Sequence, residues 1–123
     1  MRGEYTPEVK QFIESYYSTF DANLRDVGSL YRENSVLIID PHPAVVGPAA
    51  IVEKLAEDNR APNMTHEVVS VHTLPQADGT IVVMVRGVIN APQWPDPESF
   101  AELFVLVKDG GSYYIGHDIS MDF

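Results

Sequence analysis

Hydrophobic residues recur at helical spacing near the start of the chain and again around residue 50. Thr6 followed by Pro7 predicts the start of a helix, because threonine caps a first turn and proline is tolerated at the first helical position. The same period returns over Pro48–Asp58, and a short helix is predicted over Asp26–Tyr31. The apolar face of the first helix comprises Val9, Phe12, Ile13, Tyr16, Tyr17 and Phe20.

From Met64 onward the pattern changes to long strands separated by glycine turns. Helices first and a succession of antiparallel strands afterwards indicate the α+β class. A proline-rich stretch at residues 91–97 separates two of the strands, since proline has no backbone donor. The predicted strands are Ser35–Ile39, Met64–Thr73, Thr80–Asn90, Phe100–Lys108 and Ser112–Met121.

One predicted strand is apolar on both of its faces. Ile81, Val83 and Val85 alternate with Val82 and Met84, so hydrophobic side chains point to both sides of the sheet. Helices of a small domain can cover only one face of a sheet. We therefore predict that this strand contributes to a sheet face buried against a second subunit in a dimer.

Length, composition and charge exclude several classes of protein. The 123 residues, 45% of them hydrophobic, suit one domain over residues 1–123. The absence of cysteine excludes disulfides and thiolate metal sites, and no apolar run or hydrophobic leader indicates a membrane protein. Eight basic and eighteen acidic residues give a net charge of −10, which repels phosphate backbones. We expect a soluble, intracellular protein that contacts neither membranes nor nucleic acid directly.

Candidate chemistry is sparse. The four histidines lack the spacing of metal ligands, and the glycine-rich loops that bind nucleotides are absent, so we predict no metal and no cofactor. His66 and Asp118 are candidates for acid–base chemistry, because an apolar interior can shift the pKa of such groups. We expect both to be hydrogen-bonded structural groups, and we predict no catalytic residue.

Five segments along the chain share their order and spacing with one known family. They are Phe12–Asp21 with its Tyr-Tyr pair, Leu30-Tyr31, Ala49–Leu55 after Gly47, Phe100–Leu106 and Asp109–Asp118. Together they resemble the nuclear transport factor 2 family and cover nearly the whole chain. The resemblance implies a cone in which N-terminal helices pack on a strongly curved antiparallel sheet, and it implies that subunits pair through their sheets.

The resemblance also implies a function. Members of the family are non-enzymatic carriers that import the GTPase Ran in its GDP form, moving between cytoplasm and nucleus and acting at the nuclear pore. In the family an apolar opening rimmed by acids accepts an aromatic residue and a neighbouring basic residue of Ran. Burial of the aromatic residue supplies affinity, and the acids orient the basic residue. The residues implied in binding Ran-GDP here are Asp40, Asp96, Glu98, Ile39, Met64, His66 and Ile119.

Two departures from the family leave other functions open. Family members bind phenylalanine-glycine nucleoporins in a groove between subunits, where Ile39 and Ser120 replace aromatic residues in this chain. The acidic loop also retains only part of the family pattern. The alternatives are the small subunit of an mRNA-export heterodimer, an enzyme resembling ketosteroid isomerase or scytalone dehydratase, and a scaffold domain of a longer RNA-associated protein. An enzyme needs convergent polar groups deep in the cone, whereas a carrier needs an apolar opening with acids outside.

Overall fold

The computed structural model describes residues 6–59 and 63–122. These residues form two α-helices, one 3₁₀ helix and a six-stranded sheet. In chain order the elements are α1 (Pro7–Ala22), the 3₁₀ helix (Leu24–Leu30), β1 (Tyr31–Ile39), β2 (Val45–Val46), α2 (Pro48–Asp58), β3 (Thr65–Pro75), β4 (Ile81–Asn90), β5 (Glu98–Asp109) and β6 (Ser112–Asp122).

Helix α2 has the predicted bounds, and α1 begins at Pro7 as predicted. The backbone N–H of Val9 donates to the Thr6 hydroxyl at 3.3 Å, which caps α1. The short helix differs: it is a 3₁₀ helix, and it begins at Leu24, two residues before its predicted start. The Asn23 side chain accepts from the backbone N–H of Arg25 and opens this turn early. Its predicted last residue, Tyr31, belongs instead to β1.

The sheet has the strand order β2-β1-β6-β5-β4-β3. Strands β3 to β6 form the predicted antiparallel meander, and the α+β class is confirmed. The prediction of a wholly antiparallel sheet is wrong for one pair, because β1 lies parallel to β6. No hairpin joins β1 to β6, so turn geometry does not force them to be antiparallel. The two-residue strand β2, which pairs with β1, was not predicted.

The core lies between the helices and the inner face of the sheet. Val83 and Val85 are fully buried there, and Ile81 packs against the same core. These three residues therefore do not belong to a subunit-facing surface, which corrects the predicted dimer face. Val82 and Met84 point to the opposite face, where Met84 remains 39% exposed.

A close backbone contact fixes the meander at Gly87. Strand β3 carries an irregularity between Val68 and Ser70, and Gly87 pairs with Val68 on its border. A Cβ atom at Gly87 would overlap the carbonyl oxygen of Glu67 and lie 2.8 Å from the ring of Phe100. Only glycine fits here, because the nearest atom belongs to the backbone and cannot rotate away.

Gly87→Ala is expected to lower the free energy of unfolding by about 3 kcal/mol, because the β3 and β4 backbones must separate to admit a methyl group. Urea denaturation measures this loss. Gly111→Ala is the matched control, since no heavy atom lies within 4 Å of the Cβ position there. An equal loss in the two variants would contradict the explanation.

Candidate functional site: the mouth of the cone

A cavity of about 130 Å³ opens between the C-terminal half of α1, the end of α2 and the inner face of the sheet. We call it the mouth. Pockets that hold a drug-sized molecule usually measure about 300–1,000 Å³, so the mouth is suited to a single inserted side chain. It is lined by Tyr17, Phe20, Ile39, Leu55, Asp58, Asn59, Met64, His66, Ile89, Phe100, Glu102, Ser120 and Met121.

Strand register explains why distant residues meet in the mouth. Ile39 on β1 pairs with Ser120 on β6, and Ser120 pairs with Glu102 on β5. His66 on β3 likewise pairs with Ile89 on β4. Because partners in register point to the same side of a sheet, these positions form a band across its inner face.

His66 is held by an acid at the end of α1. The Nδ1 atom of His66 lies 2.7 Å from Asp21 Oδ1, and the backbone N–H of His66 donates to Asp21 Oδ2 at 2.8 Å. The imidazole ring lies within 5.2 Å, centroid to centroid, of the rings of Tyr17, Phe20 and Phe100. Asp21 thus joins the edge strand β3 to the helix and fixes the orientation of the ring that lines the mouth.

Two buried carboxyl groups lie behind the mouth. Tyr17 donates to Glu102 Oε1 at 2.7 Å, and Tyr31 donates to Asp118 Oδ2 at 2.6 Å. The Tyr16 hydroxyl lies 3.1 Å from that of Tyr31 and 3.5 Å from Asp118 Oδ2. None of the three hydroxyls reaches Asp118 Oδ1, and Glu102 is the neighbour that can supply a donor to it when protonated. We call Glu102 and Asp118 the carboxyl pair.

The carboxyl pair is placed to share a proton. Burial raises the pKa of Glu102 well above its ordinary value, and the nearby charge of Asp118 raises it further. Burial also raises the pKa of Asp118, while hydrogen bonds from Glu102 and Tyr31 oppose that rise by stabilising its charged form. When the pair carries one proton, these effects favour the proton on Glu102 and the charge on Asp118. Burial raises the pKa of each of the three tyrosines, which remain neutral donors.

Several residues implied by the resemblance meet at the mouth. Ile39, Met64 and His66 all line it. Ser120 lines it too, beside Ile39, so both positions implied for nucleoporin binding face into the cone. His66 and Asp118 are hydrogen bonded, as the sequence analysis expects.

The predicted acids lie outside the cavity. Asp40 is exposed directly after β1, and its backbone N–H donates to the carbonyl oxygen of Ser120 at 3.2 Å, which places it at the rim. Glu98 is exposed at the start of β5, on the same side of the strand as Phe100 and Glu102. Asp96 is exposed in the loop before β5.

Ile119 does not belong with this group. It pairs with Leu103 and Ile38, whereas its neighbours Asp118 and Ser120 point inward. The side chain of Ile119 therefore lies on the opposite face of the sheet, because successive residues of a strand alternate in direction. The implied contact between Ile119 and Ran is corrected on this ground.

The opposite side of the sheet carries a band of apolar side chains. Met84 pairs with Leu103, and Leu103 pairs with Ile119, across three neighbouring strands. Val82 and Val105 form the next rung. We call this the outer sheet face, made by Ile38, Val82, Met84, Leu103, Val105 and Ile119. An apolar face of this kind is suited to association with a second subunit.

Four polar residues of the site were missed in the sequence analysis. Asp58 lines the mouth from the end of α2, and Asp21 fixes His66. Tyr17 was assigned only to an apolar face, although its hydroxyl binds Glu102. Glu102 had a readable signal: it alternates with Phe100 and Phe104 in a strand whose inward positions are otherwise apolar, which indicates a buried acid.

Within residues 6–59 and 63–122, no group of three or more histidine, cysteine or acidic side chains is arranged to hold a metal ion. No helix in the same ranges is long and apolar enough to cross a membrane.

The fold and the mouth define a class: a small α+β cone with a cavity sized for a side chain and an apolar outer sheet. Residues 8–121 match the nuclear transport factor 2 domain, and the chain belongs to the nuclear transport factor 2 family.

Named relatives agree over nearly the full length. Nuclear transport factor 2 of Candida glabrata is 31% identical over 120 residues, covering 97% of this chain and 94% of that protein. The protein of the same name from Davidiella tassiana is 34% identical over 117 residues, covering 94% and 92%. The solved structure of nuclear transport factor 2 from Cryptosporidium parvum superimposes with a TM-score of 0.81 at 28% identity, covering 91% of this chain and 89% of that one.

Proposed function

We propose that this chain is a single-domain nucleocytoplasmic carrier that binds Ran-GDP through the mouth and its acidic rim. Relatives named nuclear transport factor 2 across nearly the whole chain support the transport role. The observation that carries the proposal is the size of the mouth, about 130 Å³, together with Asp40 exposed at its edge. The carrier would move between cytoplasm and nucleus and act at the nuclear pore.

The charge and shape of the mouth suit the binding of an aromatic side chain that has a basic residue beside it. Phe20, Ile39 and Phe100 offer an apolar surface to an inserted ring. The described lining residues include no lysine or arginine, Asp58 lines the opening, and exposed acids lie around it. A net charge of −10 adds a long-range attraction for a basic surface.

The same observations favour a carrier over an enzyme. The mouth contains polar groups, but its volume is below the usual range for a small-molecule substrate. Tyr17 and Asp21, which could assist an acid or base, already bond to Glu102 and His66. These bonds build the walls of the cavity.

The proposed carrier is a homodimer joined through the outer sheet face. The inner face of the same strands lines the mouth and would bind Ran-GDP, while the outer face would bind the second subunit. Phenylalanine-glycine nucleoporins are proposed as a second kind of partner. Because Ile39 and Ser120 point into the mouth, a nucleoporin phenylalanine bound there would compete with Ran-GDP.

Titration calorimetry with purified Ran tests the proposal. We expect binding to Ran-GDP and none to Ran loaded with a non-hydrolysable GTP analogue, with affinity that falls as salt is added. Mass measurement of the free protein reports whether it is a homodimer. Absence of binding to Ran-GDP at low ionic strength would contradict the proposal and favour the export-heterodimer alternative.

A further inference from the structure

Glu102 belongs both to the mouth and to the buried carboxyl pair. It lines the cavity and retains 7% of its surface, whereas Asp118 behind it is fully buried. Its Oε1 atom accepts from Tyr17 at 2.7 Å, which holds the carboxyl group in place. A side chain that fills the mouth therefore lies next to one member of the buried carboxyl pair.

We propose that filling the mouth is linked to the proton shared by Glu102 and Asp118, so that a partner binds the protonated pair and dissociates when the pair loses its proton. This inference rests on the proposed function, because it concerns the same cavity. It adds a form of regulation by pH that the transport role alone does not require.

The linkage follows from dehydration. In the open mouth, water can reach the exposed edge of Glu102 and partly solvate a negative charge. An inserted apolar side chain removes that water, and two adjacent carboxylates in a closed, low-dielectric space repel each other strongly. The occupied mouth therefore favours the singly protonated pair more than the empty mouth does.

The described groups around Glu102 include no lysine or arginine that could compensate its charge. Helix α1 and strands β1 and β6 present hydroxyls and an acid, while β4 presents the apolar Val85 in register. His66 on β3 is already bonded to Asp21. The other titratable groups that line the cavity are Tyr17, Asp58 and His66, and those behind it are Tyr16, Asp21, Tyr31 and Asp118.

The sign of the effect is fixed by proton counting. Above the ordinary pKa of glutamic acid, the folded pair keeps a proton that the unfolded chain has released, because folding raises the pKa of Glu102. Stability therefore falls as pH rises through the raised pKa. Affinity for the partner falls at higher pH, between the pKa of the pair in the empty mouth and its higher pKa in the occupied mouth, by up to about tenfold per pH unit for one linked proton.

The test measures affinity for Ran-GDP from mildly acidic to mildly alkaline pH in the wild type and in Glu102→Gln. Glutamine has the same shape as protonated glutamate; its oxygen can accept from Tyr17 and its amide can donate to Asp118. We expect affinity to decline with rising pH in the wild type and to lose that decline in the variant. Glu14→Gln, at an exposed acid of α1, should keep the wild-type profile.

A second measurement needs no partner. Carbon-13 NMR of the side-chain carboxyls should show Glu102 still protonated after the exposed glutamates have ionised, and its pKa should rise further when Ran-GDP is added. Titration of Glu102 in the ordinary acidic range would overturn the inference, as would identical pH profiles in the wild type and Glu102→Gln. If Ran-GDP fails to bind at every pH, the proposed function is contradicted, and the titration of the free protein still decides whether the proton is shared.

Discussion

Asp40→Lys is expected to weaken binding of Ran-GDP at least 100-fold while leaving the fold intact. Asp40 is exposed at the rim of the mouth, directly after β1, so a lysine there meets solvent in the free protein. In the complex the reversed charge faces the basic residue beside the inserted aromatic, and a like-charge contact of this kind costs several kcal/mol. Titration calorimetry measures the affinity, and circular dichroism reports the fold.

The matched control for this variant is Asp109→Lys. Asp109 ends β5 at the turn into β6, whereas the mouth lies near the start of that strand, at Phe100 and Glu102. Both substitutions change the net charge by the same amount, so a general electrostatic effect should weaken binding equally. A loss of affinity confined to Asp40→Lys supports a direct role of the rim in binding Ran-GDP. Equal losses in the two variants would show that only the overall charge matters.

Met84→Glu is expected to convert the proposed dimer into a folded monomer. Met84 is 39% exposed at the centre of the outer sheet face, so the free subunit can keep a glutamate in water. In the dimer, the same carboxylate would be buried without a partner in both subunits, which costs about 3 kcal/mol or more and weakens association at least 100-fold. Sedimentation velocity measures the change in mass.

Val69→Glu provides the comparison on another apolar surface. Val69 is 68% exposed at the irregular part of β3, on the edge strand and away from the centre of the outer sheet face. We expect this variant to sediment like the wild type. A wild-type protein that already sediments as a monomer would contradict the homodimer, and dissociation by both variants would show that the interface extends from the outer sheet face to the sheet edge.

The local pattern of hydrophobic and polar residues predicted the helices and strands well, but it did not predict how the strands pair. Helix α2 was predicted with the correct bounds, because its proline start and its apolar period are both contained in eleven residues. The six residues assigned to the short helix are too few to separate a three-residue turn from a four-residue turn. The parallel pairing of β1 with β6 depends on segments about 80 residues apart, and no local pattern encodes it.

In the candidate site, too, some positions could be predicted from the sequence and others could not. Resemblance identified positions such as Ile39, Met64 and His66, which the fold brings to one cavity. It misassigned Ile119, because a position in an alignment does not specify the face of a strand. Alternation from the inward Asp118 would have placed Ile119 outward. Alternation with Phe100 and Phe104 marked Glu102 as inward, but its partner Tyr17 lies 85 residues earlier on α1, and no local pattern predicts that bond.

Strand β6 also has a consequence for communication between partners. Ser120 faces the mouth and Ile119 faces outward, so one peptide unit carries one residue of each surface. Association of two subunits would restrain the backbone of this strand and so restrict the width of the opening on its reverse side. Assembly and cargo recognition would then be mechanically coupled across a single strand. A monomeric variant should therefore bind its cargo less tightly even though every residue of the mouth is unchanged.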